Sequence, residues 1–177
     1  MPFATSQTIS LQGALGHLIA VQADAGVYTQ ALANVWREFA ARPVAGRKVV
    51  VFGAMYDKDS AADPAHVLEA CDALIGVPVS LPRSRTPGEL EDLFRSWNRE
   101  PVTWPGPGDG LPGCAVAPDI PRALGLLAAE LRPEDAVLVT GSCFTVAEVL
   151  YRLGFADLEA TRGIRDAADV LQRMGDG

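Results

Sequence analysis

The chain has 177 residues, of which 49% are hydrophobic and 21% charged, as expected of one ordinary globular domain. The formal net charge is −7, and the few basic residues are scattered. This distribution argues against nucleic-acid binding and against binding to an anionic membrane surface, because both require a basic patch. No apolar run approaches the length of a membrane-spanning helix, and the start lacks a basic flank before an apolar run, so we expect a cytoplasmic protein.

Cysteine and histidine usage argues against a disulfide framework and a metal site. The three cysteines are widely spaced and form no Cys-x-x-Cys pair, and there are only two histidines. We therefore expect a reducing compartment and neither a zinc site nor a histidine-based metal cluster.

Apolar periodicity alternates between strand-like runs and helix-like spacing, which is typical of βαβ units around a mostly parallel sheet. We expect a single domain over residues 1–177, with its core at about 17–155 and a helical tail at 156–177. A strand is predicted at His17–Val21, and a helix follows through Phe39 until Pro43 ends it.

The run Lys48–Met55 contains three successive valines and predicts a strand buried on both faces, at the centre of the sheet. A helix over about 64–73 should follow. The next β-rich run, Ile75–Leu81, contains Pro78, which favours an edge strand because proline cannot donate to a ladder.

The later elements begin with a strong helix signal. Thr86, Pro87 and Glu89 predict an N-cap, a first-turn proline and a capping-box glutamate. The glycine- and proline-rich stretch 104–113 predicts a surface loop between two halves of the sheet. The remaining predictions are a helix capped by Asp119 and running to about 131, a strand at 136–140, a helix at 144–153 and a tail helix at 162–174.

Two segments combine a strand end with polar groups. The first is the strand that ends at Gly53 and delivers Asp57, Lys58 and Asp59 beyond its carboxyl end, where ligand sites of open α/β sheets lie. Lys58 there is suited to binding a phosphate or carboxylate as a point charge. Asp57 or Asp59 is suited to orienting Lys58 or to holding the water shell of a metal ion. The alternative is a solvated turn.

The second segment is the strand that leads directly into Gly141 and Ser142 and then into a helix. The N-terminus of such a helix offers unpaired N–H groups and a positive dipole end to a small anion, for example an amino-acid carboxylate. The alternative is that Ser142 is a structural N-cap only. Cys143 is interpreted as a buried, inert thiol rather than an activated one.

The motifs of many enzyme classes are missing from this sequence. It has no G-x-x-x-x-G-K-[ST] phosphate loop, no G-x-G-x-x-G after a strand, no H-E-x-x-H and no G-x-S-x-G. Gly106, Gly108 and Gly110 follow no predicted strand and open no helix, so they indicate a loop rather than a phosphate cradle.

Phe52–Asp59 and Gly141–Val149 together resemble the folylpolyglutamate synthase/dihydrofolate synthase branch of the Mur ligase superfamily. The C-terminal domain of that family carries F-G-A-x-x-D-K-D after a strand and, later, G-S-x-x-x-V-A-E-V. Both patterns occur here in the same order, and the likeness extends over roughly residues 17–155.

The resemblance implies a Rossmann-like three-layer domain with a mostly parallel, mixed sheet flanked by helices. It also implies ATP-dependent amide formation, in which ATP phosphorylates a substrate carboxylate and the amine of glutamate attacks the acyl phosphate. By match, Asp57, Lys58 and Asp59 would face the nucleotide phosphates, and Ser142 would help to hold the incoming glutamate.

Two departures from the family pattern argue against activity of this chain by itself. The sequence contains no ATPase domain with its phosphate loop and magnesium ligands. The opening D-G-A-H-N-P of the family corresponds to Val21–Gly26, where only Ala23 matches. Asp24, near the lost histidine, is a candidate ligand-binding group, with a helix cap as the alternative.

We therefore hypothesise a stand-alone or truncated C-terminal domain that binds glutamate, a folate-like molecule or a nucleotide. No catalytic residue is assigned, and ATP and Mg²⁺ would act through a partner ATPase domain. The alternative is a non-catalytic interaction or regulatory module. An exposed apolar patch around Trp36, or on the tail helix with Ile164, Val170 and Leu171, would favour it.

Overall fold

The computed structural model describes residues 6–10, 17–21, 37, 39–56, 69, 71–106 and 108–152. The strands in these ranges are β1 (Ser6–Ser10), β2 (His17–Val21), β3 (Lys48–Phe52), β4 (Ala73–Gly76), β5 (Cys114–Val116) and β6 (Ala136–Thr140). The helices are α1 (Pro87–Ser96), α2 (Ile120–Glu130) and α3 (Cys143–Arg152). None of the helices in these ranges is long and apolar enough to cross a membrane.

The six strands form one sheet in the order β1-β2-β6-β3-β4-β5. β1 pairs with β2 antiparallel, and the pairs from β2 through β6, β3 and β4 to β5 are parallel. The predicted fold class is confirmed: the sheet is mixed and mostly parallel. Since the parallel strands point the same way, their carboxyl ends lie along one edge of the sheet.

Both faces of the sheet are covered, which gives the three layers predicted. Helix α1 covers one face. Its residues Leu90 and Phe94, together with its C-cap Trp97, pack against Val50, Phe52, Leu74 and Leu138. Helices α2 and α3 cover the opposite face, where Ile120, Leu127 and Val146 pack against Val49, Val51 and Val139. The alternation of faces along β3 explains why its valines are all buried.

Several local predictions are confirmed. β3 lies between β6 and β4, as expected of a central strand. The capping box exists, with the Thr86 hydroxyl accepting from the Glu89 N–H and the Glu89 carboxylate accepting from the Thr86 N–H. Asp119 caps α2 by accepting from the Arg122 N–H at 2.8 Å.

The prediction for β4 is wrong in position and in bounds. β4 is an interior strand between β3 and β5, and it spans Ala73–Gly76. Pro78 lies beyond its end, so no ladder hydrogen bond is lost there. Ala73, expected to end a helix, begins this strand, and the rest of that predicted helix lies mostly outside the described residues, as does the tail helix.

Strands β1 and β5 were not predicted. β5 has only three residues and follows the loop 104–113, which therefore leads to an edge of the sheet rather than joining two halves of it. Gly108 and Gly110 have positive φ angles, and the Asp109 carboxylate accepts from the Gly106 N–H at 2.9 Å. The glycine spacing is thus explained by a turn.

A partly buried ion pair between Arg47 and Asp135 joins the starts of β3 and β6 at the opposite, amino-terminal edge. The carboxylate of Asp135 accepts four hydrogen bonds, from the Arg47 N–H at 2.7 Å, from Arg47 Nε at 3.2 Å and Nη2 at 2.7 Å, and from the Arg132 N–H at 2.9 Å. Burial would raise the pKa of Asp135, but the Arg47 side chain and the two backbone N–H groups outweigh it and hold the pKa below its usual range.

Candidate functional site

The two segments singled out from the sequence leave the sheet from neighbouring strands. β3 and β6 are parallel, with Phe52 opposite Thr140. The next residue along β3, Gly53, donates its N–H to the Thr140 carbonyl at 3.2 Å. The structure therefore brings the ends of both strands together at the carboxyl edge, as the fold class predicts for a ligand site.

Two glycines make this close approach feasible. An ideal Cβ at Gly53 would collide with the buried Thr145 side chain of α3 and would lie 2.9 Å from the Val77 carbonyl oxygen. Gly141 has a φ of +103°, and a Cβ there would collide with the Gly53 carbonyl and the Phe52 ring. The N-terminus of α3 can approach β3 only because neither position carries a side chain.

Ser142 makes the hydrogen bonds of an N-cap to α3. Its hydroxyl accepts from the Phe144 N–H at 3.2 Å, and its carbonyl accepts from the Val146 N–H at 3.1 Å. The residue is half-buried. This places the positive end of the α3 dipole beside the end of β3.

The chain leaving β3 is held by the loop that follows β4. The Tyr56 N–H donates to the Arg83 carbonyl at 3.0 Å, and the Arg85 N–H donates to the Ala54 carbonyl at 3.0 Å. Met55 also bridges to Ser84 in antiparallel fashion. The exit from β3 is thereby tied to the neighbouring loop as far as Tyr56, directly before the predicted charged group.

Four of the predicted site residues are not placed by the structure. Asp57, Lys58 and Asp59 lie outside the described residues, as does Asp24 on the degenerate segment. Gly141 and Ser142 are placed, at the carboxyl edge where they were expected.

Glu148 is a residue of this edge that the sequence reasoning did not single out. It lies on α3 and is buried, and its carboxylate accepts from both the N–H and the hydroxyl of Ser80, each at 2.9 Å. The exposed Arg152 lies 3.9 Å from it. A charged residue between Ala147 and Val149, both of which are buried, was the available signal, since such a carboxylate needs a partner.

The described part of the edge offers hydrogen-bond donors to an anion. The first turn of α3 points backbone N–H groups toward this edge. Among the residues with described positions, no three carboxylate, histidine or cysteine groups converge on a point.

A mostly parallel sheet with helices on both faces, in which adjacent strands end beside a glycine-flanked helix N-terminus, defines a Rossmann-like α/β domain. The family model "Mur ligase, glutamate ligase domain" matches residues 11–143. The chain belongs to this family, and the sequence-based recognition is confirmed.

Solved structures show where such a domain is found. E. coli FolC in complex with DHPP and ADP is 25% identical, with a TM-score of 0.59, over 78% of this chain and 28% of that one. The bifunctional folylpolyglutamate synthase/dihydrofolate synthase of Yersinia pestis CO92 is 24% identical, with a TM-score of 0.60, over 84% of this chain and 30% of that one.

A further structure of a bifunctional folylpolyglutamate synthase/dihydrofolate synthase, with Mn, AMPPNP and L-glutamate bound, has a TM-score of 0.57 and 24% identity. The match covers 84% of this chain and 30% of that one. The chain thus spans less than a third of the length of these enzymes. Comparison with curated protein sequences gave no match.

Proposed function

We propose that this chain is a folylpolyglutamate-synthase-like C-terminal domain that binds glutamate, a nucleotide or both at the carboxyl edge between β3 and β6. The observation that carries the proposal is the contact of Gly53 with Thr140 and Gly141. That contact joins the strand end leading to Asp57–Asp59 with the helix that Ser142 caps.

The proposed role of each group follows from its chemistry. The N-terminus of α3, with Ser142, holds a carboxylate of glutamate, because N–H groups and the helix dipole favour an anion. Lys58 meets a phosphate as a point charge, and Asp57 and Asp59 orient it. Asp24 is a further candidate on the degenerate segment.

The reaction implied by the family forms an amide from a carboxylate and the amine of glutamate, with ATP supplying the activating phosphate. Phosphoryl transfer depends on positioning and on neutralising charge at the transferring group. The sequence carries no phosphate loop, and among the described residues no three His, Cys, Asp or Glu side chains converge on a point. We infer that the chain by itself is inactive and that ATP and Mg²⁺ act through an ATPase domain outside this sequence, either that of a partner or that of a longer chain.

Isothermal titration calorimetry of the purified chain tests this proposal. Glutamate, ATP-Mg and a reduced folate are titrated singly and in pairs into the wild type and into Ser142→Ala and Lys58→Ala. We expect saturable glutamate binding that weakens about tenfold in Ser142→Ala, since a hydrogen bond to a charged group is lost. Lys58→Ala should weaken ATP-Mg binding.

Matched controls lie at the opposite edge of the sheet. Ser96→Ala removes an exposed hydroxyl at the end of α1, and Arg132→Ala removes an exposed positive charge before β6. Both should bind as the wild type does.

If the folded wild-type chain bound none of the three ligands, the ligand-site proposal would be contradicted. That result would leave the interaction or regulatory module as the function. The apolar patches that would favour that module, around Trp36 and on the tail helix, lie outside the described residues.

A further inference from the structure

Glu148 and Ser80 connect two elements that stand on either side of β3. Ser80 follows β4, whereas Glu148 lies on α3, which follows β6. Because β3 lies between β4 and β6 in the sheet, the contact between these residues crosses the carboxyl end of β3. Gly53 lies in this gap, between the Val77 carbonyl and the Thr145 side chain.

The contact has the features of a fixed anchor. The side chain of Glu148 is 4% exposed, and its two oxygens take both donors of Ser80. A carboxylate withdrawn from water is stable only where donors replace the water. Loss of this contact would leave a buried charge whose remaining partner, among the residues with described positions, is Arg152 at 3.9 Å. The two donors and the carboxylate therefore hold each other in place.

The anchored loop in turn holds the chain that leaves β3. Within the loop, the Val79 N–H donates to the Ser84 hydroxyl at 2.8 Å. Farther along, Arg83 and Arg85 make the two backbone hydrogen bonds to Tyr56 and Ala54. The hydrogen bonds of Glu148 and Tyr56 thus meet on one loop, whose covalent backbone and internal hydrogen bonds connect them. Tyr56 is the residue directly before Asp57.

We propose that Glu148 is a positioning residue of the ligand site, which acts through Ser80 and the loop 79–86 to fix the chain leaving β3 as far as Tyr56. This inference rests on the proposed function for the ligand that binds at this edge. The anchor itself can be tested without any ligand.

Amide hydrogen exchange measures the anchor directly. The reporters are the amides of Tyr56 and Arg85, and the Leu74 amide of β4, bonded to the Gly113 carbonyl at 2.9 Å, is the internal reference. Glu148→Ala should speed exchange of both reporters about tenfold relative to Leu74, because the charged acceptor of two hydrogen bonds is removed.

Three further variants separate positioning from general stability. Val149→Ala truncates a fully buried neighbour on the same helix and should change all three amides together. Glu148→Gln should restore protection, since an amide can accept from the Ser80 N–H and donate to its hydroxyl. Ser80→Ala, at an exposed residue, removes one donor and should speed the reporters less than Glu148→Ala does.

Equal acceleration in Glu148→Ala and Val149→Ala, or unchanged reporters in both Glu148→Ala and Ser80→Ala, would overturn the positioning role. With ligand present, Glu148→Ala should weaken ATP-Mg binding about tenfold while Val149→Ala leaves it unchanged. Absence of any binding to the wild type would refute the proposed function alone, and the exchange result would still decide whether the anchor exists.

Discussion

Replacing Asp135 with asparagine should destabilise the protein by about 2–3 kcal/mol at pH 7, because the change disrupts a buried, charge-assisted network. The carboxylate is 1% exposed and takes three hydrogen bonds from Arg47 and one from the Arg132 N–H. An asparagine turned to accept from the Arg47 side chain would direct its NH₂ group at the Arg47 N–H. One hydrogen bond and the ionic attraction are then lost together.

The pH dependence of this stability difference is a second, independent test of the prediction. The folded pKa of Asp135 is lowered, so the unfolded state binds more protons near this pKa and stability rises with pH. The contribution of Asp135 is complete above the unfolded pKa of about 3.9 and is lost as the pH falls through the lower folded value. The difference between wild type and variant should therefore shrink as the pH is lowered from about 5.

Urea unfolding followed by circular dichroism between pH 3 and pH 7 is the assay. Glu100→Gln is the control, because its ion pair with Arg95, at 3.4 Å, is exposed to solvent and should contribute little to stability. The urea midpoint of this variant should match that of the wild type at pH 7. Coincident curves for Asp135→Asn and wild type at pH 7, or a difference that does not shrink in acid, would refute the reasoning.

Two further predictions concern stability and thiol reactivity. Gly141→Ala should destabilise by about 2 kcal/mol or more, because of its positive φ and the collision with Gly53, whereas Gly125→Ala, in open space inside α2, should stabilise by about 0.5–1 kcal/mol. Urea unfolding distinguishes them, and equal effects of the two changes would contradict this explanation. Burial raises the pKa of Cys71 and of Cys114 to about 11. Both thiols should therefore react slowly with iodoacetamide at pH 8 until urea unfolds the chain, as measured by peptide mass spectrometry; fast reaction of the native protein would be inconsistent with this burial.

The sequence predicted those elements whose signals are local. The capping box at Thr86 and Glu89, the Asp119 cap and the valine run of β3 each lie within a few residues, and all three are confirmed. β5 was not predicted because its three residues are too few to show the alternating apolar pattern of a strand. The interior position of β4 depends on which strand pairs with it, and this is set by tertiary contacts rather than by Pro78.

The candidate site was predictable in part for the same reason. Gly141 and Ser142 follow a strand and open a helix, and this local pattern placed them correctly at the carboxyl edge. Glu148 and Ser80 are 68 residues apart in the sequence, and no local pattern connects them. Their pairing depends on the order of β4, β3 and β6 in the sheet. Parallel strands are joined by long crossover connections, so the neighbours of each strand are set only when the chain folds.

Titration of the ¹⁵N-labelled chain with L-glutamate and then ATP-Mg, followed by amide chemical shifts, tests the central claim most directly. The account predicts saturable shifts that are concentrated at Gly53, Tyr56, Gly141 and Ser142, with the amides of Arg47 and Arg132 at the opposite edge unchanged. A spectrum that does not change, or shifts concentrated away from the ends of β3 and β6, would contradict it.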